Sequence, residues 1–453
     1  MAKSVHGQIL LDGGGLGGRL AQIFLSSCNQ SQGICPDLFG RGAKVGPSAA
    51  QVCYFSGTVE TKSSPETRRP PADRAVLTQL VRSRPSTRTR LAAETGMSAA
   101  TVSRAVDHLV EAGVVREGAA VVAGTRGRRA VTLDLDASRG VVVGVDLGAT
   151  STRLLAADLV ATPVAVRELD TATGLDAPDL AAWLAELVLA LAEGSAPLLA
   201  VSLGLPGAVQ SDGPVVTNAN NLPQVEDPAF VRVLRERLGV DLHVLNDADL
   251  ALLGEQSFGA ARGAAAAAIL TFGTGLGGAL ARQGVLVQGP HGVVGEFGQL
   301  PVGPLGTRLE HMVTGPGIMR RAAEAGLALS SPADLFTSTA PAVASMRAQF
   351  DGALVIALTA VTVAAEPDVL VLGGRLAPSL APHLPAYEAA VAHHVHCTPR
   401  LAPAALGSYS GACGAVVAAL RGCYRDLGVD EDALGDVPMG AALDLDALEA
   451  VRA

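Results

Sequence analysis

Two strand–turn–strand units of the same design occur in this chain, and they constrain its fold more than any other feature. In the first, the apolar residues 141–145 lead into a turn from Asp146 to Thr150, and residues 151–157 return as a second strand. In the second, an apolar run ending at Leu270 leads into a glycine- and threonine-containing turn at residues 273–278. A continuous apolar run predicts a strand buried on both faces, and a glycine-rich turn exposes backbone N–H groups to phosphate. The repetition predicts a duplicated α/β lobe.

The length and composition bound the number and kind of domains. The 453 residues are enough for about three domains. Hydrophobic residues make up 49% of the chain and aromatic residues only 3%, so the cores must be built from Ala, Val and Leu. No apolar run approaches the roughly 18 residues that a membrane-spanning helix needs, and the six cysteines lack paired spacing. We expect a cytoplasmic protein with reduced thiols and no membrane contact.

Positive charge is concentrated in one stretch of an otherwise acidic chain. Residues 68–129 contain 12 Arg and 5 acidic residues, a local net charge of +7, whereas the whole chain carries −9. A basic module on an acidic body indicates that one domain contacts DNA and that the rest binds something else.

Residues 1–71 differ in composition from everything that follows. All three lysines of the chain (Lys3, Lys44 and Lys62) lie here, and the segment ends in a Ser- and Pro-rich stretch that is typical of a linker. We interpret it as a disordered extension or as a start-codon artefact, with true initiation near Val59. An intact mass of the natively expressed protein that matches the full length would reject the artefact.

Residues 72–135 have the pattern of a winged helix-turn-helix domain. Helices are predicted at 72–82, 88–95 and 99–112, with wing strands at 114–116 and 131–133. The third helix begins with small polar residues that allow close approach to a DNA groove. The candidate DNA contacts are Ser98, Ala100, Thr101, Ser103 and Arg104 on this helix, and Arg126, Arg128 and Arg129 at the wing tip. The alternative is a plain three-helix packing unit with a solvated basic loop.

Polar residues at two later points suit a sugar site. Asn218, Asn220 and Asn221 cluster after the segment 204–207, and Asn side chains both donate to and accept from hydroxyl groups. Asn246 and Asp247 open a helix-like segment after a predicted strand. The alternative is a turn cluster for the first group and a helix cap for the second.

Taken in order, these segments resemble the ROK family (repressors, uncharacterised reading frames and sugar kinases) over roughly residues 74–420. The matching segments are 146–150, 204–207, 246–248, 273–277, 295–298 and 372–374. The resemblance implies an α/β fold with an N-terminal winged helix and a two-lobed, actin-like ATPase body whose ligand binds between the lobes. The body is expected at residues 140–425 and an acidic tail at 426–453.

The resemblance also implies roles for individual residues. Asp247 is the expected general base, which takes a proton from a sugar hydroxyl. The expected sugar ligands are Asn221, Asn246, Asp247, Glu296, Gln299 and Glu310. The expected nucleotide ligands are Asp146, Gly148, Thr150, Gly273, Thr274, Gly275, Gly373 and Gly374.

The chain departs from the family pattern at the zinc site. Gln299 stands where the family usually has a zinc-binding His, and residues 302–309 lack the three family cysteines. Because a structural zinc site needs about four N or S ligands, we predict no zinc. The loss of the metal weakens the expected order of residues 303–317, and the placement of Glu310 depends on that loop.

Two functions from different classes fit these features. The first is a sugar-responsive transcriptional regulator, a repressor, that binds operator DNA as a homodimer or homotetramer and senses a sugar or sugar phosphate. The second is an ATP-dependent sugar kinase that carries an accessory DNA-binding domain and uses MgATP. A third reading is a sugar-binding scaffold that lacks both catalysis and an operator.

Overall fold

The computed structural model describes residues 69–121, 130–194, 196–210, 215–302, 306–434 and 443–452. The predicted N-terminal extension lies outside the described residues up to position 68. The wing-tip arginines Arg126, Arg128 and Arg129 also lie outside them.

Three helices and a two-stranded antiparallel sheet form the N-terminal domain. They are α1 (Pro71–Ser83), α2 (Arg88–Thr95), α3 (Ala99–Glu111), β1 (Val115–Val121) and β2 (Ala130–Leu135). Thr87 and Ser98 begin α2 and α3 by accepting backbone N–H bonds at 3.2 and 3.1 Å. Gly96 ends α2 in the left-handed region at φ +69°. The predicted winged helix-turn-helix fold is confirmed.

The first lobe of the body is a five-stranded sheet with helices on its outer face. Its strands are β3 (Val141–Leu147), β4 (Ser151–Asp158), β5 (Pro163–Asp170), β6 (Leu198–Leu205) and β9 (Asp241–Asn246), in the order β5-β4-β3-β6-β9. A small antiparallel hairpin, β7 (Ala208–Val209) and β8 (Val216–Thr217), follows β6. The helices α4 (Ala177–Ala192) and α5 (Pro228–Leu238) share one apolar core with β3 and β6.

The second lobe repeats this sheet. Its strands are β10 (Ala266–Phe272), β11 (Leu276–Arg282), β12 (Val285–Leu286), β15 (Val369–Gly373) and β16 (Arg400–Pro403), in the order β12-β11-β10-β15-β16. In each lobe the central strand pairs antiparallel with the strand that follows it and parallel with a later one. The predicted duplication is therefore confirmed.

The remaining elements of the second lobe cover its outer face and its edge. The helices are α7 (Glu310–Val313), α8 (Gly315–Glu324), α9 (Asp334–Thr337), α10 (Pro341–Ala365), α11 (Ala377–Leu380) and α12 (Leu384–Val395), and the hairpin strands are β13 (Pro301–Val302) and β14 (Thr307–Arg308). Helix α10 is long and apolar enough to cross a bilayer by length and composition alone. One of its faces, however, packs into the lobe core through Phe350, Leu354 and Leu358.

Two helices lie between the lobes. Helix α6 (Asp247–Phe258) packs against β10 and β11, and α13 (Ser410–Asp426) packs against β3 and β6. They contact each other through glycines, because a Cβ at Gly414 would overlap the carbonyl oxygen of Leu250. The buried Glu255 side chain joins α6 to the start of α13, since it accepts a bond from Ser410 Oγ at 2.8 Å.

The chain after α13 packs back onto the first lobe. Leu443 and Leu448 are buried, and α14 (Leu445–Ala450) lies beside β5. The backbone N–H of Val166 donates to the carbonyl oxygen of Val451 at 3.2 Å. The segment predicted as an acidic tail thus contributes apolar side chains to the packing of this lobe.

Candidate functional site

Asp247 lies where β9 of the first lobe ends and α6 begins. Its neighbour Asn246 is the N-cap of α6, because its Oδ1 accepts bonds from the backbone N–H groups of Ala248 and Asp249 at 2.8 and 3.2 Å. The Asn246 Nδ2 donates to the carbonyl oxygen of Gly207 at 2.8 Å. One amide hydrogen of Asn246 is left for a ligand, so this side chain is chiefly a structural cap. The alternative of a helix cap describes Asn246 in the structure.

The Asp247 carboxyl is half-buried among other acidic groups. Burial, the nearby Asp146 and then Glu296 and Asp249 together raise its pKa to about 7, although a bond from the Ala248 N–H opposes the shift. A carboxyl with a pKa near neutrality can accept a proton from a hydroxyl and release it again at physiological pH. The arrangement can therefore perform general base chemistry.

Asp146 at the end of β3 is paired with a cation that the sequence analysis missed. Arg153 on β4 lies directly opposite it in the antiparallel register, with 3.6 Å between Arg153 Nη1 and Asp146 Oδ2. Burial raises the pKa of Asp146, whereas Arg153 lowers it. Arg153 also binds Glu168 on β5 at 2.8 Å. The sequence could have predicted this pair, because a turn between residues 147 and 151 places residues 146 and 153 opposite each other.

The glycine turns predicted to meet phosphate occur at the carboxyl ends of the central strands. In the first lobe, the turn from Gly148 to Thr150 closes with a bond from Gly148 N to Ser151 O at 3.1 Å. In the second lobe, Gly273, Thr274 and Gly275 follow β10. Gly373 and Gly374, which are predicted to meet the adenosine, stand at the end of the adjacent parallel strand β15. The two segments meet, since a Cβ at Gly374 would lie 2.5 Å from the carbonyl oxygen of Phe272.

The space beside these turns suits a phosphate group. A Cβ built at Gly273 meets no atom within 4 Å, so the backbone there is open to a ligand. Gly374 has φ +82°, a conformation that favours glycine. The acidic side chain that would hold the accompanying metal is Asp146, which is 18% exposed near the end of β3 in the first lobe. The residues present therefore fit a magnesium nucleotide.

Four further predicted sugar ligands lie near Asp247 and the start of β11. Glu296 interacts with Asp247 and Glu310, and burial followed by Glu310 raises its pKa, while a hydrogen bond from Gln299 lowers it. A Cβ at Gly275 would lie 3.7 Å from both Asn221 Nδ2 and Glu310 Oε2. The structure thus brings the four predicted residues Asn221, Glu296, Gln299 and Glu310 around the start of β11. Their acceptors and amides match sugar hydroxyls.

A hairpin and a buried leucine hold Glu310 in the loop that was expected to lose order without zinc ligands. Strands β13 and β14 pair, and Leu309 donates its N–H to the carbonyl oxygen of Leu300 at 2.8 Å with its side chain fully buried. The expected loss of order is therefore wrong for residues 306–317, which are described, whereas residues 303–305 lie outside the described part. Arg308 and His311 flank Glu310 at 3.7 and 3.8 Å. Within the described residues, no group of three or more His, Cys, Asp or Glu side chains could hold a metal ion.

A second polar pocket opens behind Asn246. It has a volume of about 190 Å³ and lies between β7, the end of β9 and the loop that follows β12. Asp249 is 9% exposed there and accepts a bond from Gln288 Nε2 at 2.8 Å. Burial raises the pKa of Asp249 to about 6. Asp249 lies in the segment 246–249 that stands out in the sequence but was not predicted as a site residue, and Gln288 belongs to no motif that a single sequence reveals.

The predicted DNA-contacting residues of α3 lie on its solvent side. Ser98, Ala100 and Arg104 are exposed, and Thr101 and Ser103 are half-buried. Ser98 Oγ is within 2.8 Å of Thr101 Oγ1, so the capping pair uses part of this polar surface. The opposite face of α3 contributes Val102, Val106 and Leu109 to the domain core.

Comparison with known proteins agrees with this architecture. The ROK family model matches residues 142–421, and the MarR family model matches residues 58–123. The chain is 33% identical over 168 residues to glucokinase from Thermotoga maritima, covering 36% of this chain and 52% of that protein. It is 28% identical over 228 residues to the DNA-binding transcriptional dual regulator NagC from Escherichia coli, covering 49% and 55%.

A solved structure shares both parts of the fold. It is a ROK family transcriptional regulator described as a homologue of the E. coli MLC protein, with a TM-score of 0.64, 20% identity and coverage of 81% of this chain and 96% of that chain. The chain spans about half the length of the curated relatives it matches. Because the family model covers more than half of the residues and both lobes of the described fold, this chain belongs to the ROK family.

Proposed function

We propose that this protein is a sugar-responsive, DNA-binding transcriptional repressor. The observation that carries this proposal is the direct packing of a winged helix, with an exposed polar recognition face, onto a body with an interlobe cleft. A winged helix has no use in a dedicated kinase. Two relatives named above, NagC and the MLC homologue, are described as transcriptional regulators, which supports the same function for this chain.

DNA binding is assigned to the amino-terminal part of α3. Ser98, Ala100, Thr101 and Ser103 allow a close approach to the major groove, and Arg104 extends toward a phosphate or a guanine edge. The wing-tip arginines Arg126, Arg128 and Arg129 would add phosphate or minor-groove contacts.

The DNA-binding assignment is tested with DNA selected from a random-sequence pool. Arg104→Ala should weaken binding by about 1–3 kcal/mol. Arg232→Ala is the matched control, because Arg232 is an exposed arginine on α5 of the body that pairs with Glu236 four residues on. Equal affinities of the two variants would remove Arg104 from the interface, and a selection that enriches no sequence would reject the operator.

The effector is assigned to the cleft between the lobes. Asn221, Glu296, Gln299 and Glu310, with Asp247, would hold the hydroxyls of a sugar or a sugar phosphate. Asn246 would contribute at most its free amide hydrogen, since its Oδ1 caps α6 and its Nδ2 already donates to the Gly207 carbonyl oxygen. Ligand binding can change DNA affinity only if the two lobe arrangements bind the sugar differently. We place the protein in the cytoplasm, as a homodimer or homotetramer whose paired winged helices read the operator.

A second candidate function is ATP-dependent phosphorylation of a sugar. The observation that favours it is the Asp247 carboxyl, with a pKa of about 7 beside the predicted sugar ligands. MgATP would lie against Gly148, Thr150, Gly273, Thr274, Gly275, Gly373 and Gly374, with Asp146 toward the metal. Bound magnesium neutralises charge on the transferred phosphoryl group. Asp247 would orient the sugar hydroxyl and accept its proton.

ADP release separates the two functions. The protein is mixed with MgATP and a panel of hexoses, N-acetylhexosamines and pentoses, and Asp247→Asn serves as the control. Turnover with one sugar that disappears in the variant would establish a kinase. A sugar that raises the melting temperature without turnover would support a sensor that lacks the chemistry.

A further inference from the structure

Helix α13 extends from the ligand cleft to the winged helix. Its 17 residues span about 25 Å at 1.5 Å per residue. Thirteen of them are buried. A packed helix is a rigid element that can carry a displacement of one end to the other.

The first turn of α13 lies against Asp146. A Cβ built at Gly411 would be 2.9 Å from Asp146 Cγ and 3.0 Å from Asp146 Oδ2, so a side chain there would require Asp146 to shift. The preceding residue, Ser410, donates to the buried Glu255 of α6. Any ligand that draws Asp146 toward the cleft therefore changes the contact on which this turn of α13 rests.

The last turn of α13 and the residues after it contact the winged-helix domain. The hydroxyl of Tyr424 donates to the carbonyl oxygen of Leu159 at 2.6 Å and accepts from Arg84 Nη2 at 3.4 Å. Tyr424 is fully buried, and the Arg84 side chain is 2% exposed. This hydroxyl therefore joins three segments: α13, the first lobe and the chain just after α1.

Helix α1 makes further contacts with the loop that follows α13. Arg74 donates to the carbonyl oxygen of Gly428 at 3.3 Å and binds the Asp430 carboxylate at 2.7 Å. The N–H of Asp430 donates to Thr78 Oγ1 at 3.1 Å. Val76, Leu77 and Leu80 belong to the same apolar cluster as Leu420, Leu427 and Val429. The winged helix and the first lobe thus share one core rather than a flexible tether.

We propose that α13 is the element that couples the state of Asp146 to the winged helix. A ligand at the Asp146 end of the cleft, a phosphate group with its divalent cation, shifts the first turn of α13. Helix α6 moves with it, because the two backbones touch at Gly254 and Gly414 and Ser410 donates to Glu255. The winged helix follows through Tyr424 and the Arg74–Asp430 pair. The inference rests on the proposed DNA binding for one of its two readouts.

The test changes one end of α13 and observes the other. Gly411→Ala places a methyl group against Asp146, and Asp146→Ala removes the obstructing carboxylate. Each single variant should change amide hydrogen exchange in α3, a helix of the other domain, by about fivefold or more. The double variant should return to within about twofold of wild type, because the new methyl fills the space that the carboxylate leaves. The affinity for selected DNA should follow the same order.

The path is tested by interrupting the far end. Tyr424→Phe in the Gly411→Ala background should suppress the change in α3, because the bonds to Leu159 and Arg84 are lost. Tyr387→Phe is the matched control, since it removes a buried tyrosine hydroxyl bond to Asp351 in the second lobe. An effect of Gly411→Ala that persists with Tyr424→Phe, or single variants that leave α3 unchanged, would overturn the proposal. If Gly411→Ala fails to fold, the same comparison of hydrogen exchange in α3 is made with Asp146→Ala, with and without Tyr424→Phe.

The two readouts separate this proposal from the proposed function. Hydrogen exchange requires neither DNA nor an identified effector. If the wild-type protein binds no selected DNA, the repressor proposal is rejected. A change of hydrogen exchange in α3 that depends on Gly411 and Tyr424 would still support α13 as the coupling element. DNA binding that is intact but indifferent to Gly411→Ala would reject the link alone.

Discussion

Asp247→Asn should make the protein more stable at alkaline pH than the wild type. In the folded protein the pKa of Asp247 is raised to about 7, by burial first and then by Asp146. In the unfolded chain it is near 3.9. Between these values the folded state holds a proton that the unfolded state has lost, so the wild type loses stability as the pH rises through this window. Asparagine keeps the shape and does not titrate.

The magnitude follows from the shift. One pKa unit corresponds to about 1.4 kcal/mol, so the wild type should lose about 2.5 kcal/mol of unfolding free energy between about pH 5 and pH 8 through this group. The variant should not lose this contribution. The difference in unfolding free energy between Asp247→Asn and wild type should therefore increase by about 2.5 kcal/mol over the same range.

Urea denaturation followed by tryptophan fluorescence measures this difference. Trp183 is the only tryptophan and lies on α4 against the core of the first lobe, from which β9 delivers Asp247. Asp241→Asn is the matched control, because Asp241 is an exposed residue at the other end of β9. A difference that does not change with pH, or one that falls as the pH rises, would refute the assignment of a buried, proton-holding carboxyl at position 247.

Three further predictions concern contacts that hold the cleft together. Glu255→Ala should lower the melting temperature and reduce the unfolding free energy by about 3–5 kcal/mol. The Glu255 carboxylate accepts bonds from three segments, which follow α6, follow β16 and begin α13, and their donors would lose this acceptor. Leu309→Ala should cost about 2–5 kcal/mol in urea denaturation and speed hydrogen exchange in β13 and β14, and unchanged exchange would mean that another contact orders this loop. Gly374→Ala should abolish stabilisation by MgADP in a thermal melt, because its Cβ would meet the Phe272 carbonyl oxygen at 2.5 Å; MgADP stabilisation equal to wild type would contradict this account of the turn.

Local patterns predicted the helices and strands well. Thr87 and Ser98 begin helices where capping rules place them, and the apolar run before Asp146 is a buried strand. The Asp146–Arg153 pair was also within reach, because strand pairing across a short turn fixes which residues face each other.

Long-range contacts could not be predicted from one sequence. Glu255 accepts bonds from chain segments that are far apart in sequence, and nothing local marks it as buried. Leu309 is fully buried and anchors its loop, yet in the sequence it is one apolar residue among many. The close contact of Gly414 with α6 depends on how two helices cross. Each of these features is set by tertiary packing rather than by periodicity.

The proposed repressor function depends on a change of DNA affinity when a sugar binds. The direct measurement is fluorescence anisotropy of selected DNA with the full-length protein at fixed salt, titrated with each sugar and sugar phosphate of the panel. We predict that at least one of them changes the DNA dissociation constant by about fivefold or more, and that Glu296→Gln removes the change without altering DNA affinity in its absence. DNA binding that no member of the panel alters, together with ADP release from MgATP and one sugar, would contradict the repressor and establish the kinase.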